Sequence, residues 1–134
     1  MKIKFTGPTA LAAVVFLLVS VPTFAHHGAA SYDISKMTTL KGTVTNIQWM
    51  NPHAEVDIDV SDAAGKAEKY IVESVSPLGL SRIGWTKDSL KPGDQITVTG
   101  NLSKNGTRIL RLKKIVFPTG KELTIQSGED YSGQ

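Results

Sequence analysis

The sequence predicts an all-β domain, a small five-stranded barrel with one short helix between strands 3 and 4. Two observations lead to it: short segments rich in β-branched and aromatic residues recur between turn signals, and a helical stretch interrupts them after the third. Three strands, a helix and two strands is the element order of an OB-fold, a partly open barrel. Another small β-barrel or a sandwich is the alternative.

The first three strands are predicted over 40–49, 54–60 and 68–74. The second strand alternates strictly, with Ala54, Val56 and Ile58 on one face and acidic residues on the other, which is typical of a half-buried strand. Asn51-Pro52 separates it from the first strand, and a hairpin turn over 62–65 leads to the third.

The helix is predicted to begin at Ser76-Pro77, a cap followed by a first-turn proline, and to end at Gly84. The last strands are predicted over 95–100 and 108–117, with a short edge strand over 123–125. Asn105-Gly106 marks the hairpin between the two long ones. The predicted organisation is a signal peptide over 1–25, an extended arm over 26–38, the barrel over 39–126 and a flexible tail over 127–134.

Residues 1–25 have the features of a cleavable signal peptide. Two lysines form a positive start, residues 10–21 are uncharged and mainly apolar, and Thr23 and Ala25 are small residues at positions −3 and −1 of a cleavage site. The apolar run is shorter than the about 20 residues that span a bilayer, which disfavours a membrane anchor. We expect a periplasmic protein without a membrane span, whose first residue is His26.

Composition excludes several classes of protein. The chain has 134 residues, with 15 basic and 12 acidic side chains and no cysteine. Cleavage would remove two lysines and no acid, leaving 13 basic against 12 acidic side chains. The basic excess of a nucleic-acid-binding protein is absent, so we expect no nucleic-acid partner. Disulfides and thiolate metal sites are excluded as well.

The sharpest chemical feature is the histidine that cleavage would expose. An N-terminal histidine can chelate a metal through its α-amine and its ring, and nitrogen-rich sites of this kind favour copper, with zinc as the competitor. His26 would be that residue, His27 follows it, and His53 lies in the predicted loop between strands 1 and 2. In an OB-fold this loop flanks the usual binding face. We therefore predict a copper site formed by these three histidines.

Other interpretations stay open. Paired histidines can be a solvated chain end, and a histidine after Asn51-Pro52 can close a turn with a ring hydrogen bond. A barrel that binds a small ligand or a periplasmic protein partner without metal is one alternative function, and a copper-dependent redox enzyme is another. Because the chain has no nucleophile elbow, HExxH motif or phosphate loop, we expect a protein that is not an enzyme.

Weaker candidates complete the predicted site. Glu73 could add a carboxylate to the histidines, and Asn51 belongs to the same loop as His53. Trp49 and Trp85 flank predicted element ends, where one could line a ligand groove, although a place in the core is the favoured interpretation.

Two charged strands have simpler explanations. The acidic face of strand 2 is expected to be solvated, with at most weak binding of a hard cation. The basic residues of the last long strand are expected to pair with acids on neighbouring strands rather than with a polyanion.

The chain resembles a family of small secreted bacterial proteins whose function is not known, a domain-of-unknown-function group. The likeness covers nearly all of the mature region and is carried by these motifs: His26-His27-Gly28, Tyr32-Asp33, Leu40-Lys41-Gly42-Thr43-Val44, Trp49-Met50-Asn51-Pro52-His53, Glu73 with Ser76-Pro77, Arg82-Ile83-Gly84-Trp85 and Leu90-Lys91-Pro92-Gly93-Asp94. Two departures occur: Gly28 stands where members usually have Ser, and Glu55 where many have an aromatic residue. The resemblance implies that the paired histidines and the Asn-Pro-His loop are family signatures, either as a site or as a contact between arm and loop.

Cleavage after Ala25 is directly testable. Protein recovered from the periplasm of a bacterial host should have the intact mass of a chain that begins at His26. Ala25→Phe puts a bulky side chain at position −1 and should leave the precursor uncut, whereas Ala30→Phe, beyond the site, should be processed normally. Any other N-terminus would overturn the predicted site of cleavage.

Overall fold

A computed structural model describes residues 29–126, which form a β-barrel with one short helix. The strands are β1 (Thr38–Gln48), β2 (Glu55–Ser61), β3 (Ala67–Glu73), β4 (Gln95–Leu102), β5 (Ile109–Val116) and β6 (Glu122–Thr124). The helix α1 (Pro77–Arg82) lies between β3 and β4, and a 3₁₀ turn (Ala29–Ser31) precedes β1. The predicted all-β class and the position of the helix are confirmed.

The strands pair in the order β3-β2-β1-β4-β5-β6, with every neighbouring pair antiparallel. A parallel pairing of β3 with β5 joins the two sides and closes five strands into a barrel. Its register places Ile71 opposite Ile109 and Glu73 opposite Arg111. The OB-like description is therefore confirmed, and β6 adds a short edge strand beside β5.

The core fills the inside of the barrel with aliphatic side chains from every long strand. On β2, Val56 and Ile58 point inward and are buried, as the strict alternation predicts. Asp57, which lies between them, consequently points to the outer side. At α1, Ser76 caps the helix and Leu80 is fully buried.

Trp85 belongs to this core. Its side chain is 2% exposed, and its ring meets that of Phe117 edge-on, with 5.3 Å between centroids. Gly84 has a φ of 83°, which reverses the chain after α1, and the backbone N–H of Trp85 donates to the carbonyl of Leu80 at 3.0 Å. Trp85 therefore lies in the core, which is the interpretation favoured from the sequence, and its ring is not exposed to a ligand groove.

The contact between β4 and β5 requires glycine at position 100. A Cβ added there would lie 2.0 Å from the backbone oxygen of Arg111, at the point where the register between the strands shifts. That oxygen belongs to the backbone, so the contact is relieved only by moving a strand.

Gly100→Ala should lower the free energy of unfolding by about 2 to 3 kcal/mol, because the strands must separate to admit the methyl group. Urea unfolding followed by circular dichroism measures the change. Gly106→Asn is the control: position 106 has a φ of 80° and open space around it, which asparagine tolerates. Equal stability of Gly100→Ala and the wild-type protein would contradict the close approach.

Candidate functional site

The candidate site lies on the outer side of β2 and β3, the side of an OB-fold that commonly binds ligands. Glu55 on β2 is directly opposite Glu73 on β3, and Asp57 follows two residues along β2. Side chains alternate along a strand, so all three point away from the core. These three carboxylates are called the acidic face below.

His53 lies at one end of this face, in the loop between β1 and β2. Its ring nitrogen Nδ1 is 2.9 Å from the backbone oxygen of Ser74. A carbonyl oxygen only accepts hydrogen bonds, so Nδ1 carries the proton and donates it. The neutral ring therefore has its lone pair on Nε2, and His53 is exposed. Histidines that ligate metals commonly donate their other ring nitrogen to a backbone carbonyl in this way.

The segment before β1 is docked on the barrel by its backbone. Tyr32 forms an isolated β-bridge with Ser103, and the N–H of Asp33 donates to the carbonyl of Leu102 at 2.9 Å. The buried amide of Asn101 donates to the carbonyls of Asp33 and Lys36, at 3.0 Å each. The described part of the predicted arm is thus fixed against the end of β4, starts with a 3₁₀ turn instead of an extended run, and passes into β1 at position 38.

The side chain of Tyr32 packs against the acidic face. Its side chain is only 5% exposed, its hydroxyl donates to the carboxylate of Glu73, and the guanidinium of Arg111 lies 5.9 Å from the centre of its ring. Burial, followed by the charge of Glu73 and this hydrogen bond, raises the pKa of Tyr32 to about 12. The phenol is therefore neutral at physiological pH and acts as a hydrogen-bond donor.

The carboxylates of the acidic face repel one another because they carry like charges. Burial, together with the nearby charges of Glu73 and Asp57, raises the pKa of Glu55, and His53 partly offsets this effect. Asp57 is 4% exposed, which corrects the expectation of a solvated acidic stripe. Its Oδ2 lies 2.8 Å from Nζ of Lys69, while the buried Oδ1 has no hydrogen-bond partner in the structure. The hydrogen bond and charge of Asp57 raise the pKa of Lys69.

The basic residues of β5 and of the turn before it behave as expected where the structure gives their partners. Arg108 pairs with Glu68 at 2.6 Å, and Lys114 pairs with Glu122 at 2.7 Å. These ion pairs join β5 and the turn before it to acids on neighbouring strands, as the sequence predicts.

The structure brings together some of the predicted site residues. His53 and Glu73 lie at the acidic face, Asn51 is exposed in the same loop as His53, and Trp49 is half-buried against the core. His26 and His27 lie outside the described residues. Among residues 29–126, no three histidine or carboxylate side chains are grouped so as to hold a metal ion.

Sequence reasoning did not identify Tyr32 as part of the site. Its signal is a single aromatic residue in an otherwise polar arm, which is visible in the sequence but points to no particular partner. Only the pairing of β3 with β5 places Glu73 and Arg111 side by side, where both contact Tyr32.

Comparison with known proteins gives a family and a fold. A family model described as "Family of unknown function (DUF6152)" matches residues 13–110. No curated protein matches the chain. Two solved structures are similar to it, a ZRD-deleted mutant of TiaS in complex with agmatine and Rim1, a mitochondrial single-stranded DNA binding protein from S. cerevisiae.

Both similarities are distant. The TiaS match has a TM-score of 0.46 and 19% identity and covers 74% of this chain, which spans only 24% of that structure. The Rim1 match has a TM-score of 0.45 and 11% identity and covers 68% of this chain and 97% of that one. Within residues 29–126, no helix is long and apolar enough to cross a membrane.

Titration of Tyr32 tests whether its phenol is buried and bonded to Glu73. The absorbance of tyrosinate, compared between the wild-type protein and Tyr32→Phe, should show one phenol that ionises near pH 12. Because this pKa is raised above its unfolded value of about 10, the folded state keeps its proton longer, and the stability due to Tyr32 should be lost between about pH 10 and 12. A difference titration with a midpoint near 10 would show that the phenol is neither buried nor bonded to Glu73.

Proposed function

The chain belongs to this family of unknown function, and from its own residues we propose that it is an exported protein that binds a transition metal, copper in preference to zinc. The metal is held by the α-amine and ring of His26, with His27 and His53. The observation that carries the proposal is the pairing of two features: an exposed histidine whose Nδ1 donates to Ser74, and an arm docked by Tyr32 beside the same face.

The length of the chain before Tyr32 supports an approach of His26 to His53. His26 lies six positions before Tyr32, and because residues 29–31 form a 3₁₀ turn, the segment spans at most about 16 Å. Adjacent strands lie about 4.8 Å apart, so this reach covers several strand widths. Glu73, the partner of Tyr32, is directly opposite Glu55, two residues from His53. The arm therefore needs no rearrangement of the barrel to bring its histidines to His53.

The donor atoms support copper. A neutral amine and imidazoles provide a nitrogen-rich set, and thiolates are absent because the chain has no cysteine. Such sets suit tetragonal Cu(II), which also binds more tightly than other divalent metals of the first row. Zinc shares these ligands and is the competitor to be measured.

The hydrogen bond from His53 to Ser74 also fits a purely structural role, in which the ring only ties the loop to β3. A metal-free binding module remains the alternative function, but burial of Trp85 removes one of the side chains it would have used. A copper-dependent redox activity stays a prediction. Metal titration separates the structural role from the proposed one.

Competition titration of the mature protein with Cu(II) should give tight binding of one ion. Changing His53→Ala, or adding one glycine before His26, should each weaken it on the order of 100-fold, because each removes a direct ligand or the terminal amine. A protein with the glycine added at its C-terminus is the control and should bind like the wild type.

Weak copper binding that ignores both changes would contradict the proposal and leave the metal-free module as the function to pursue. Copper binding that depends on the N-terminus but not on His53 would show that the loop histidine only ties the loop to β3.

A further inference from the structure

We propose that a cavity between the β3–β4 connection and the β5–β6 turn binds a small zwitterion with an apolar side chain, either a free amino acid or a dipeptide. The cavity has a volume of about 410 Å³, which is in the range of small-molecule pockets. Its lining residues lie over 84–94 and 117–121, so it shares no residue with the acidic face. The inference therefore goes beyond the proposed metal site and does not depend on it.

Hydrogen-bonded turns fix both walls of the cavity. On one wall, the backbone N–H of Lys91 donates to the carboxylate of Asp94 at 3.0 Å. On the other wall, the N–H of Gly120 donates to the carbonyl of Phe117 at 2.9 Å. The cavity is therefore formed before a ligand enters, which lowers the entropy lost on binding.

The floor of the cavity is apolar. Leu90 and Phe117 line it and are almost fully buried, with 4% and 7% of their surface exposed. The ring of Phe117 is held in place by its edge-on contact with Trp85. An apolar side chain placed against this floor would leave water, which is favourable.

The lining also carries charges of both signs, from Lys91, Lys121, Asp88 and Asp94. The carboxylate of Asp94 is engaged by the N–H of Lys91. Within residues 29–126, the side chains of Lys91, Lys121 and Asp88 form no ion pair. The ammonium of Lys121 lies 3.6 Å from the point where a Cβ on Gly84 would stand, so this side chain reaches across to the facing wall.

These charges favour a zwitterion over a simple anion or cation. Two lysines and two aspartates give the lining no net charge, and complementary charges are what select a ligand. The lysine ammonium groups can donate to a carboxylate, and Asp88 can accept from an ammonium group. An apolar amino acid presents both charges and an apolar side chain together, so one small molecule matches every part of the cavity.

The test is a titration of isotope-labelled mature protein with L-leucine, followed by nuclear magnetic resonance. The backbone amides of Gly84, Ser89 and Thr119, which line the cavity, should shift saturably. We expect a Kd of about 0.1 to 1 mM, which a ligand of this size can reach. Leucinamide lacks the carboxylate and N-acetyl-leucine lacks the ammonium group, so each should bind at least about fivefold more weakly.

Leucyl-leucine distinguishes the two sources of the same chemistry. Tighter binding of the dipeptide than of leucine would assign the cavity to peptides, and weaker binding would assign it to free amino acids.

Variants assign the two charges to their partners. Lys121→Met should weaken leucine binding about fivefold and abolish the preference for leucine over leucinamide. Asp88→Asn should weaken it similarly and abolish the preference for leucine over N-acetyl-leucine. Lys87→Met is the matched control, because Lys87 is exposed in the same loop but does not line the cavity, and it should leave binding unchanged. A merely structural role of Lys121 or Asp88 would not change these preferences, and urea unfolding checks that each variant is folded.

The proposal is overturned if none of these compounds shifts the cavity amides saturably, or if leucine and its two blocked forms bind equally. Shifts confined to residues outside 84–94 and 117–121 would overturn it as well, because leucine would then bind elsewhere. Each of these results leaves the proposed metal site standing, since Cu(II) binding is titrated separately.

Discussion

The parallel pairing of β3 with β5 is the constraint on which the rest of the structure depends. The other strand pairs are antiparallel and could form an open sheet, whereas this pairing closes the barrel and seals its core. The backbone N–H of Ile71 donates to the carbonyl of Arg108 at 2.9 Å, just before the paired stretch. The same register brings Glu73 beside Arg111. The pairing that closes the core therefore also forms, on the outer surface, the polar pair that contacts Tyr32.

The contacts of Glu73 and Arg111 determine where the described part of the N-terminal arm lies. Tyr32 places its ring near the guanidinium and its hydroxyl on the carboxylate, while Asn101 holds the backbone that follows. Each contact is modest alone, since a hydrogen bond contributes about 1 kcal/mol net. Together they direct the chain toward the acidic face. A function that needs the N-terminus would depend on this docking as much as on the residues that bind.

The acidic face is partly compensated, because Lys69 pairs with Asp57 at 2.8 Å and Arg111 lies opposite Glu73. A buried carboxylate oxygen on Asp57 has no partner, and Glu55 faces Glu73 with a long hydrogen bond as its contact. Buried polar atoms normally find partners, and exceptions often mark a functional site.

The sequence by itself determined the local elements. The alternation on β2, the cap at Ser76 and the Asn105-Gly106 turn reflect short-range preferences, and the order they produce predicted the barrel. It also marked His53 and Glu73 as candidates. The favoured core position of Trp85 is confirmed, but only the tertiary structure decided that Asp57 is buried and that Tyr32 contacts Glu73. Tyr32 and Glu73 lie 41 positions apart in the chain, and the burial of Asp57 depends on how the strands pack around it. Local patterns encode neither fact, because both depend on the strand register of the folded barrel.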